Sequence, residues 1–144
     1  MEKYITHSVN ETEKLAAEFA KTIKGGDVIA FRGGLGMGKT AFTRGLLKGL
    51  KNPAFVSSPT FAIVNDYGGN PNVYHFDMYR IETLDDLESV GFFDYMSENS
   101  VLIIEWSENI DEYLPTNTIF IEIKRLGDND RQISIYSATP QAQN

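Results

Sequence analysis

A glycine-rich run that ends in lysine and threonine is the segment of this chain best suited to chemistry. It has the pattern G-x-x-x-x-G-K-T over residues 33–40, with Gly33 and Gly38 at the fixed glycine positions. Glycines let a loop backbone approach a bound group closely, and the N–H groups at a helix start attract phosphate oxygens. Lys39 suits the β and γ phosphates, and the Thr40 hydroxyl suits Mg²⁺. The pattern therefore predicts a site for a nucleoside triphosphate.

The residues on either side of this loop give it the setting that such a site needs. The apolar run 28–31 predicts a buried strand, and the apolar positions over 39–50 recur at helical spacing. Gly45 and Gly49 lie on that helix and lower its intrinsic stability. A strand, loop and helix in this order distinguish a phosphate loop from a chance glycine turn. The loop residues expected to contact the nucleotide are Gly34, Leu35, Gly36, Met37, Gly38, Lys39 and Thr40.

Two acidic residues follow apolar strands further along the chain. Asp77 ends the run 73–76, and Glu105 ends the run 101–104. Ligands of open α/β sheets bind at the carboxyl ends of the strands, where phosphate-loop enzymes place an acid for Mg²⁺. Glu105 is favoured for the metal because its strand is the more apolar, which leaves Asp77 to orient the attacking water or make a switch contact. Composition alone does not decide between the two assignments.

Five other side chains carry weaker signals. Thr60 follows Ser-Pro and has a hydroxyl that could sense a γ phosphate, although Ser-Pro-Thr is also an ordinary turn. Arg80 could stabilise charge in a transition state or bind a partner, and a solvated surface arginine explains it equally well. His7 and His75 lack the spacing of metal ligands and are treated as structural. Trp106 is treated as a core or lid residue.

The predicted elements describe an α/β fold. A capping-box pattern at 8–11 starts a first helix, and turn signals place antiparallel hairpins around 68–72 and 127–130. Strands and helices in this arrangement predict a P-loop NTPase-like three-layer sandwich with a mixed parallel and antiparallel sheet. We expect a single P-loop ATPase domain over residues 1–137 and a frayed tail over 138–144.

Composition and charge limit the function further. A chain of 144 residues leaves no room for a second substrate domain, and the net charge of −7 argues against a general nucleic-acid coat. The absence of cysteine excludes disulfides and thiolate-bound zinc. The first residues lack the apolar core of a signal peptide, and no apolar run reaches membrane-spanning length. We therefore expect a cytoplasmic protein without a membrane partner.

Adenine is the expected base. Residues 66–69 match the D-x-x-G of GTPases, but no lysine in the chain is preceded by asparagine or threonine. The N-K-x-D loop that reads guanine is therefore absent. The chain also lacks the long arginine-rich lid with which small-molecule kinases commonly close over their substrates.

Four motifs, in their order and spacing, resemble one known family. They are G-G-L-G-M-G-K-T with F-T-R at 42–44, S-P-T-F at 58–61, H-F-D-M-Y-R at 75–80 and I-E-W at 104–106. This set resembles the bacterial TsaE family, also named YjeE, the ATPase of tRNA threonylcarbamoyladenosine biosynthesis. The resemblance extends over roughly residues 8 to 125.

The resemblance implies ATP and Mg²⁺ binding, with Thr40 and Glu105 at the metal. It also implies an ATPase that is slow alone and in which Lys39, Asp77 and Thr60 matter. The family's N-terminal helix start helps to hold the nucleotide, which adds Thr12 to the binding set. Ala41 belongs to that set too, at a position where the family most often has a hydroxyl residue.

The resemblance further implies nucleotide-dependent assembly with the subunits TsaB and TsaD. The threonylcarbamoyl group is then transferred to adenosine 37 of tRNA on TsaD, so tRNA is a partner only through the complex. The resulting hypothesis is an ATPase subunit that times assembly and turnover of a TsaB-TsaD-TsaE complex. The alternatives are a small-molecule kinase with its acceptor near Asp77, and a nucleotide-gated binding module without turnover.

Overall fold

The computed structural model describes residues 1–33, 38–56 and 63–137, which form seven strands, three α-helices and two short 3₁₀ helices. The strands are β1 (Glu2–Thr6), β2 (Val28–Arg32), β3 (Val64–Gly68), β4 (Asn72–Asp77), β5 (Ser100–Glu105), β6 (Ile119–Arg125) and β7 (Arg131–Ser137). The α-helices are α1 (Val9–Ala20), α2 (Lys39–Gly49) and α3 (Leu84–Ser89), and the 3₁₀ helices span Phe92–Tyr95 and Asp111–Tyr113.

All seven strands join one mixed sheet in the order β1-β7-β6-β2-β5-β4-β3. The four central strands β6, β2, β5 and β4 are parallel to one another. Antiparallel pairing adds β7 and β1 at one edge and β3 at the other. The predicted mixed α/β sheet and both predicted hairpins are confirmed. Because the central strands are parallel, their carboxyl ends lie at one edge of the sheet, where ligands of such folds bind.

Apolar side chains cover both faces of the sheet. Alternate residues of β2 point to opposite faces, so Ile29 and Phe31 belong to one buried cluster and Val28 and Ala30 to the other. The first cluster includes α1 and α2, where the Phe42 ring meets the Phe31 ring edge-on with centroids 5.9 Å apart. The second cluster includes α3 and the 3₁₀ helices. The sheet is therefore the middle layer of three.

Helices α1 and α2 pack closely through small residues. A Cβ added to Gly45 would lie 2.6 Å from the Cβ of Ala16, and one added to Gly49 would lie 2.5 Å from the Cβ of Ala20. Real Cβ atoms do not approach this closely, so only glycine fits at either position. The glycines that lower the intrinsic stability of α2 are thus the residues that let α1 pack against it.

The start of α1 is the capping box that the sequence predicts. The backbone N–H of Glu11 donates to Ser8 Oγ at 3.0 Å, and the Glu11 carboxylate accepts from the backbone N–H of His7 at 2.8 Å. These bonds satisfy donors that a helix start otherwise leaves unpaired. The helix ends at Ala20, before the glycine pair at 25–26.

Candidate functional site

The two fixed glycines of the phosphate-loop motif both adopt backbone conformations that other residues rarely take. Gly33 follows β2 directly with φ 113°, and Gly38 precedes α2 with φ 105°. A Cβ on Gly33 would also lie 2.7 Å from the carbonyl oxygen of Ile123 on the neighbouring strand β6. The motif glycines are therefore required by the backbone at both ends of the loop. Residues 34–37, which belong to the predicted nucleotide-binding set, lie outside the described residues.

The start of α2 leaves its first backbone donors available. Its N-cap is Gly38, and within the described residues no side chain caps it and its first turn holds no acid. The first intrahelical bond runs from the Phe42 N–H to the Gly38 carbonyl at 3.0 Å. The N–H groups of Lys39, Thr40 and Ala41 precede that bond, and such groups carry the positive end of the helix dipole. This geometry favours an anion at the start of the helix.

Lys39 is buried at this helix start, with 6% of the residue exposed. Its Nζ lies 4.9 Å from the centre of the Trp106 ring, which is a cation–π contact. Among the described residues no carboxylate forms an ion pair with this ammonium. The positive charge of Lys39 is therefore held by an aromatic face and stays available to an anionic ligand.

The structure brings the two predicted acids together. Asp77 and Glu105 are direct partners in the parallel register of β4 and β5, at the carboxyl end of each strand. Ile103, two positions before Glu105, and Val73, four positions before Asp77, belong to the cluster under α1 and α2. The strand alternation therefore places both acids on the α2 face. Asp77 is half-buried and its Oδ1 accepts from the Tyr79 N–H at 2.9 Å.

Glu105 is bound to a buried histidine. His75 Nε2 lies 2.6 Å from Glu105 Oε2, and His75 Nδ1 lies 2.9 Å from the Tyr67 hydroxyl. His75 is 1% exposed and Glu105 is 9% exposed. The three side chains come from β3, β4 and β5 and form a continuous chain of hydrogen bonds across three adjacent strands.

Trp106 directly follows Glu105 with a left-handed backbone, φ 61°. Its ring contacts Lys39 on one side and meets the Tyr79 ring edge-on, with centroids 5.2 Å apart. Trp106 is only partly buried, so it borders the site rather than filling the core. Arg80 is exposed, as a partner contact or a solvated arginine would be.

A surface cavity lies where the starts of α1 and α2 meet the turn between β6 and β7. Its lining includes Thr12, Gly38 and Ala41 from the predicted nucleotide set, together with Ser8, Val9, Asp128, Asn129 and Arg131. Thr12 is buried, and its Oγ1 lies 2.7 Å from Thr6 Oγ1. The fold thus brings Thr12 next to the phosphate-loop end, although Thr12 and Gly38 are 26 positions apart in the sequence.

An exposed contact joins two residues adjacent in sequence to those that line this cavity. His7 Nδ1 lies 2.9 Å from Asp130 Oδ1 and links the start of α1 to the β6–β7 turn. The hydrogen bond to Asp130, supported by its negative charge, raises the pKa of His7 above its ordinary value. Arg131 holds the same turn by donating to the carbonyls of Gly127 and Asp130.

Comparison with known proteins identifies the family of this chain. A family model described as "Threonylcarbamoyl adenosine biosynthesis protein TsaE" matches residues 6–133. The chain belongs to the TsaE family. The family to which the sequence motifs point is therefore confirmed.

Individual TsaE proteins match most of the chain. The Bacillus subtilis protein is 41% identical over 133 residues, which are 92% of this chain and 83% of that protein. The Aquifex aeolicus protein is 40% identical over 139 residues, which are 94% of this chain and 96% of the relative. Both are named "tRNA threonylcarbamoyladenosine biosynthesis protein TsaE". The crystal structure of Bacillus subtilis YdiB has a TM-score of 0.73 at 34% identity, covering 99% of this chain and 88% of that one.

The donor groups of this TsaE-family site suit Mg²⁺ in combination with a nucleotide. Among the described residues no three His, Cys, Asp or Glu side chains converge into a metal cage. Mg²⁺ usually binds through one or two carboxylates together with substrate phosphates and water. The Thr40 hydroxyl and the Glu105 carboxylate are hard oxygen donors of this kind. Glu105 Oε2 is engaged by His75, whereas Oε1 makes no hydrogen bond with any residue that the structure describes.

Among the predicted site residues that the structure describes, Thr12, Gly38 and Ala41 line one cavity, and Asp77 and Glu105 are partners in the sheet. Thr60 lies outside the described residues, so its predicted contact stays a prediction. His75 is treated as structural from the sequence, yet it contacts Glu105 directly. The H-x-D spacing was the available signal, since residues i and i+2 of a strand share a face and His75 precedes Asp77 by two.

Proposed function

We propose that this TsaE-family chain is a Mg²⁺-dependent ATPase, slow alone, that supports N6-threonylcarbamoylation of adenosine 37 in tRNA. One observation carries the ATPase proposal. The uncapped start of α2, with Lys39 in its first turn, and the adjacent acids Asp77 and Glu105 belong to the same face of the sheet, at the carboxyl ends of its central strands. The pathway rests on the family, whose members carry threonylcarbamoyladenosine biosynthesis in their names.

The phosphate-binding groups are those of the loop and the first turn of α2. The Lys39 ammonium would neutralise the β and γ phosphates, and the N–H groups that precede the first intrahelical bond would donate to their oxygens. Thr40 and Glu105 would hold Mg²⁺. When bound, Mg²⁺ supplies charge neutralisation on the transferring phosphoryl group.

Asp77 is the proposed residue for orienting the attacking water. The Tyr79 N–H already occupies its Oδ1, which fixes the carboxylate and leaves Oδ2 as the acceptor for a water hydrogen. A fixed acceptor lowers the entropic cost of placing water in line with a phosphoryl group. Thr60 is proposed to sense the γ phosphate through its hydroxyl.

The cavity bordered by Thr12, Gly38 and Ala41 is the proposed place for the nucleoside end of ATP. It adjoins the start of α2, so a nucleotide with its phosphates at that helix start would extend toward it. The absence of a guanine-reading N-K-x-D sequence supports ATP over GTP.

The proposed partners are TsaB and TsaD, with assembly controlled by the nucleotide, and tRNA reached through that complex. The net charge of −7 supports indirect contact, since binding to a phosphate backbone relies on lysine and arginine. Within residues 1–33, 38–56 and 63–137 no helix has the length and apolar character that a membrane crossing needs. The cytoplasm is the proposed location.

Release of ADP by the purified chain tests this proposal in three mixtures: the chain alone, with TsaB and TsaD, and with TsaB, TsaD and tRNA. We expect slow release alone and faster release with the partners. Stimulation by a small metabolite instead of the proteins would identify a kinase. Tight ATP binding without turnover in every mixture would identify a nucleotide-gated binding module.

A further inference from the structure

His75 is a buried polar ring at the edge of the apolar core under α1 and α2. It is 1% exposed, and Val73, two residues before it on the same face of β4, belongs to the core cluster under α1 and α2. Both ring nitrogens nevertheless have partners, Glu105 Oε2 at 2.6 Å and the Tyr67 hydroxyl at 2.9 Å. A buried histidine could be satisfied by a backbone carbonyl, so its contact with the candidate metal ligand calls for a specific explanation.

The two partners fix the orientation and the tautomer of the ring. An ionised carboxylate only accepts hydrogen bonds, so Nε2 of His75 carries the hydrogen and donates to Glu105. In the neutral ring, Nδ1 is then the acceptor and receives the hydroxyl hydrogen of Tyr67. The chain of donors therefore runs from Tyr67 through His75 to Glu105.

The backbone of β3 is irregular at the residue that begins this chain. The register between β3 and β4 shifts between Asp66 and Gly68, so Tyr67 is the extra residue of a β-bulge. Bulges redirect side chains and are frequent beside functional sites. The irregularity coincides with the tyrosine that contacts His75.

We propose that His75, oriented by Tyr67, is a positioning residue that fixes the Glu105 carboxylate for Mg²⁺; this inference rests on the proposed ATPase function. The hydrogen bond from Nε2 engages Oε2 and so stops the carboxylate from rotating. Oε1, which makes no hydrogen bond within the described part of the chain, is then the oxygen that faces the metal. Partners behind a metal ligand typically contribute about 10- to 100-fold in metal affinity or activity.

The test measures how strongly Mg²⁺ and nucleotide binding are coupled, without requiring turnover. The affinity of a fluorescent ATP analogue is measured with Mg²⁺ and with EDTA, and the ratio of the two dissociation constants is the coupling. His75→Leu removes the donor, and we expect it to lower the coupling about tenfold or more while the affinity in EDTA changes less than about twofold. His75→Gln keeps an N–H donor of similar reach and should recover at least part of the coupling.

Val73→Ala is the matched control for a general loosening of β4. Val73 is fully buried on the same face and has no contact with Glu105 among the contacts described. We expect Val73→Ala to lower the melting temperature without changing the coupling. If it lowers the coupling as much as His75→Leu does, His75 acts only through stability and the inference is overturned.

The outcomes also separate this inference from the proposed function. A wild-type coupling of one would reject the Mg²⁺–nucleotide site itself. A wild-type coupling well above one that His75→Leu leaves unchanged would reject only the positioning role. If His75→Leu does not fold, Tyr67→Phe decides, because loss of the hydroxyl frees the ring to turn; we expect a coupling reduced about threefold or more, and an unchanged value overturns the inference.

Discussion

The N-termini of α1 and α2 border the same cavity and are built in different ways. Helix α1 begins at Ser8, whose hydroxyl accepts from the Glu11 N–H, and it carries an acid in its first turn. Helix α2 begins at Gly38, without a side-chain cap in the described ranges, and Lys39 starts its first turn. The first helix start is capped by its own chain, whereas the second has no such cap among the described residues and is the proposed phosphate site.

Under the proposed function, this difference separates a helix start that stabilises the fold from one that binds phosphate. A side-chain cap on α2 would compete with phosphate for the same N–H groups. Helix α2 packs closely against α1 at Gly45 and Gly49. Substitutions at the start of α2 and at its glycines should therefore affect mainly ATP affinity and mainly stability, respectively.

Lys39→Ala is expected to have the largest effect. It removes a charged donor to the β and γ phosphates, and such bonds contribute up to about 3 kcal/mol, so ATP affinity should fall about 100-fold in calorimetric titration. Lys39 is buried against Trp106, so the melting temperature of the variant is measured as well, to confirm that it is folded. Lys48→Ala, in the last turn of the same helix, is the control and should keep the affinity. Unchanged binding by Lys39→Ala would remove the lysine from the site.

Gly45→Ala tests the claim that packing holds α2 in place. The added Cβ would meet Ala16 Cβ and the Glu13 carbonyl, so we expect the free energy of unfolding to fall by about 2 kcal/mol despite the better helix propensity of alanine. Urea denaturation measures the change. Gly127→Ala is the matched control, because its Cβ would have ordinary contacts at 3.7 Å or more. Equal stability of the two variants would show that α1 does not need the glycine.

Thr83→Ala tests whether a capped helix start contributes to stability without contributing to ATP binding. The Thr83 hydroxyl accepts from the Asp86 N–H at 3.1 Å at the start of α3. Its loss should lower the free energy of unfolding by about 1 kcal/mol and leave ATP affinity unchanged. Denaturation and calorimetric titration of the same preparation measure both. A weaker ATP complex would mean that the capped helix starts also serve binding.

Glu13 links the two helices and gives the smallest expected effect. The hydrogen bond from Lys48 at 2.6 Å is the main cause that lowers the pKa of Glu13; burial opposes it, and Arg44 supports it. Because the pKa is lower in the folded state, this stabilisation is present above the ordinary value of 4.5 and is lost as the pH falls through the lowered pKa.

Comparison of wild type with Glu13→Gln measures this pH dependence. Wild type should be the more stable protein at pH 7 by less than about 1 kcal/mol, and the difference should shrink toward pH 3. Denaturation at the two pH values gives both numbers. A difference that is the same at both would show that the charge of Glu13 does not contribute.

Local sequence patterns predict much of the fold and the elements around the candidate site. The strand before the phosphate loop, the helix after it and the capping box at Ser8 depend on residues close in sequence, and the structure contains all three. The sequence indicates that Asp77 and Glu105 each end an apolar strand, but it does not predict that the two strands are neighbours. The order of the strands came from the structure, because it depends on contacts between distant segments.

Contacts between distant residues account for what the sequence did not predict. His75 and Glu105 are 30 residues apart, and only the register of β4 and β5 brings them together. From the sequence, Gly45 and Gly49 are expected to lower the stability of α2, because glycine has a low helix propensity. Helix propensity does not take account of contacts with the neighbouring helix α1. At these two positions helix propensity favours alanine, whereas packing against α1 requires glycine.

A crystal structure with Mg²⁺ and a non-hydrolysable ATP analogue tests the central claim most directly. The account predicts the β and γ phosphates against the first-turn N–H groups of α2 and the Lys39 ammonium, with Mg²⁺ bound by Thr40 and by Oε1 of Glu105. Phosphates bound away from the start of α2 would contradict it, as would a metal held by Asp77 with Glu105 turned away.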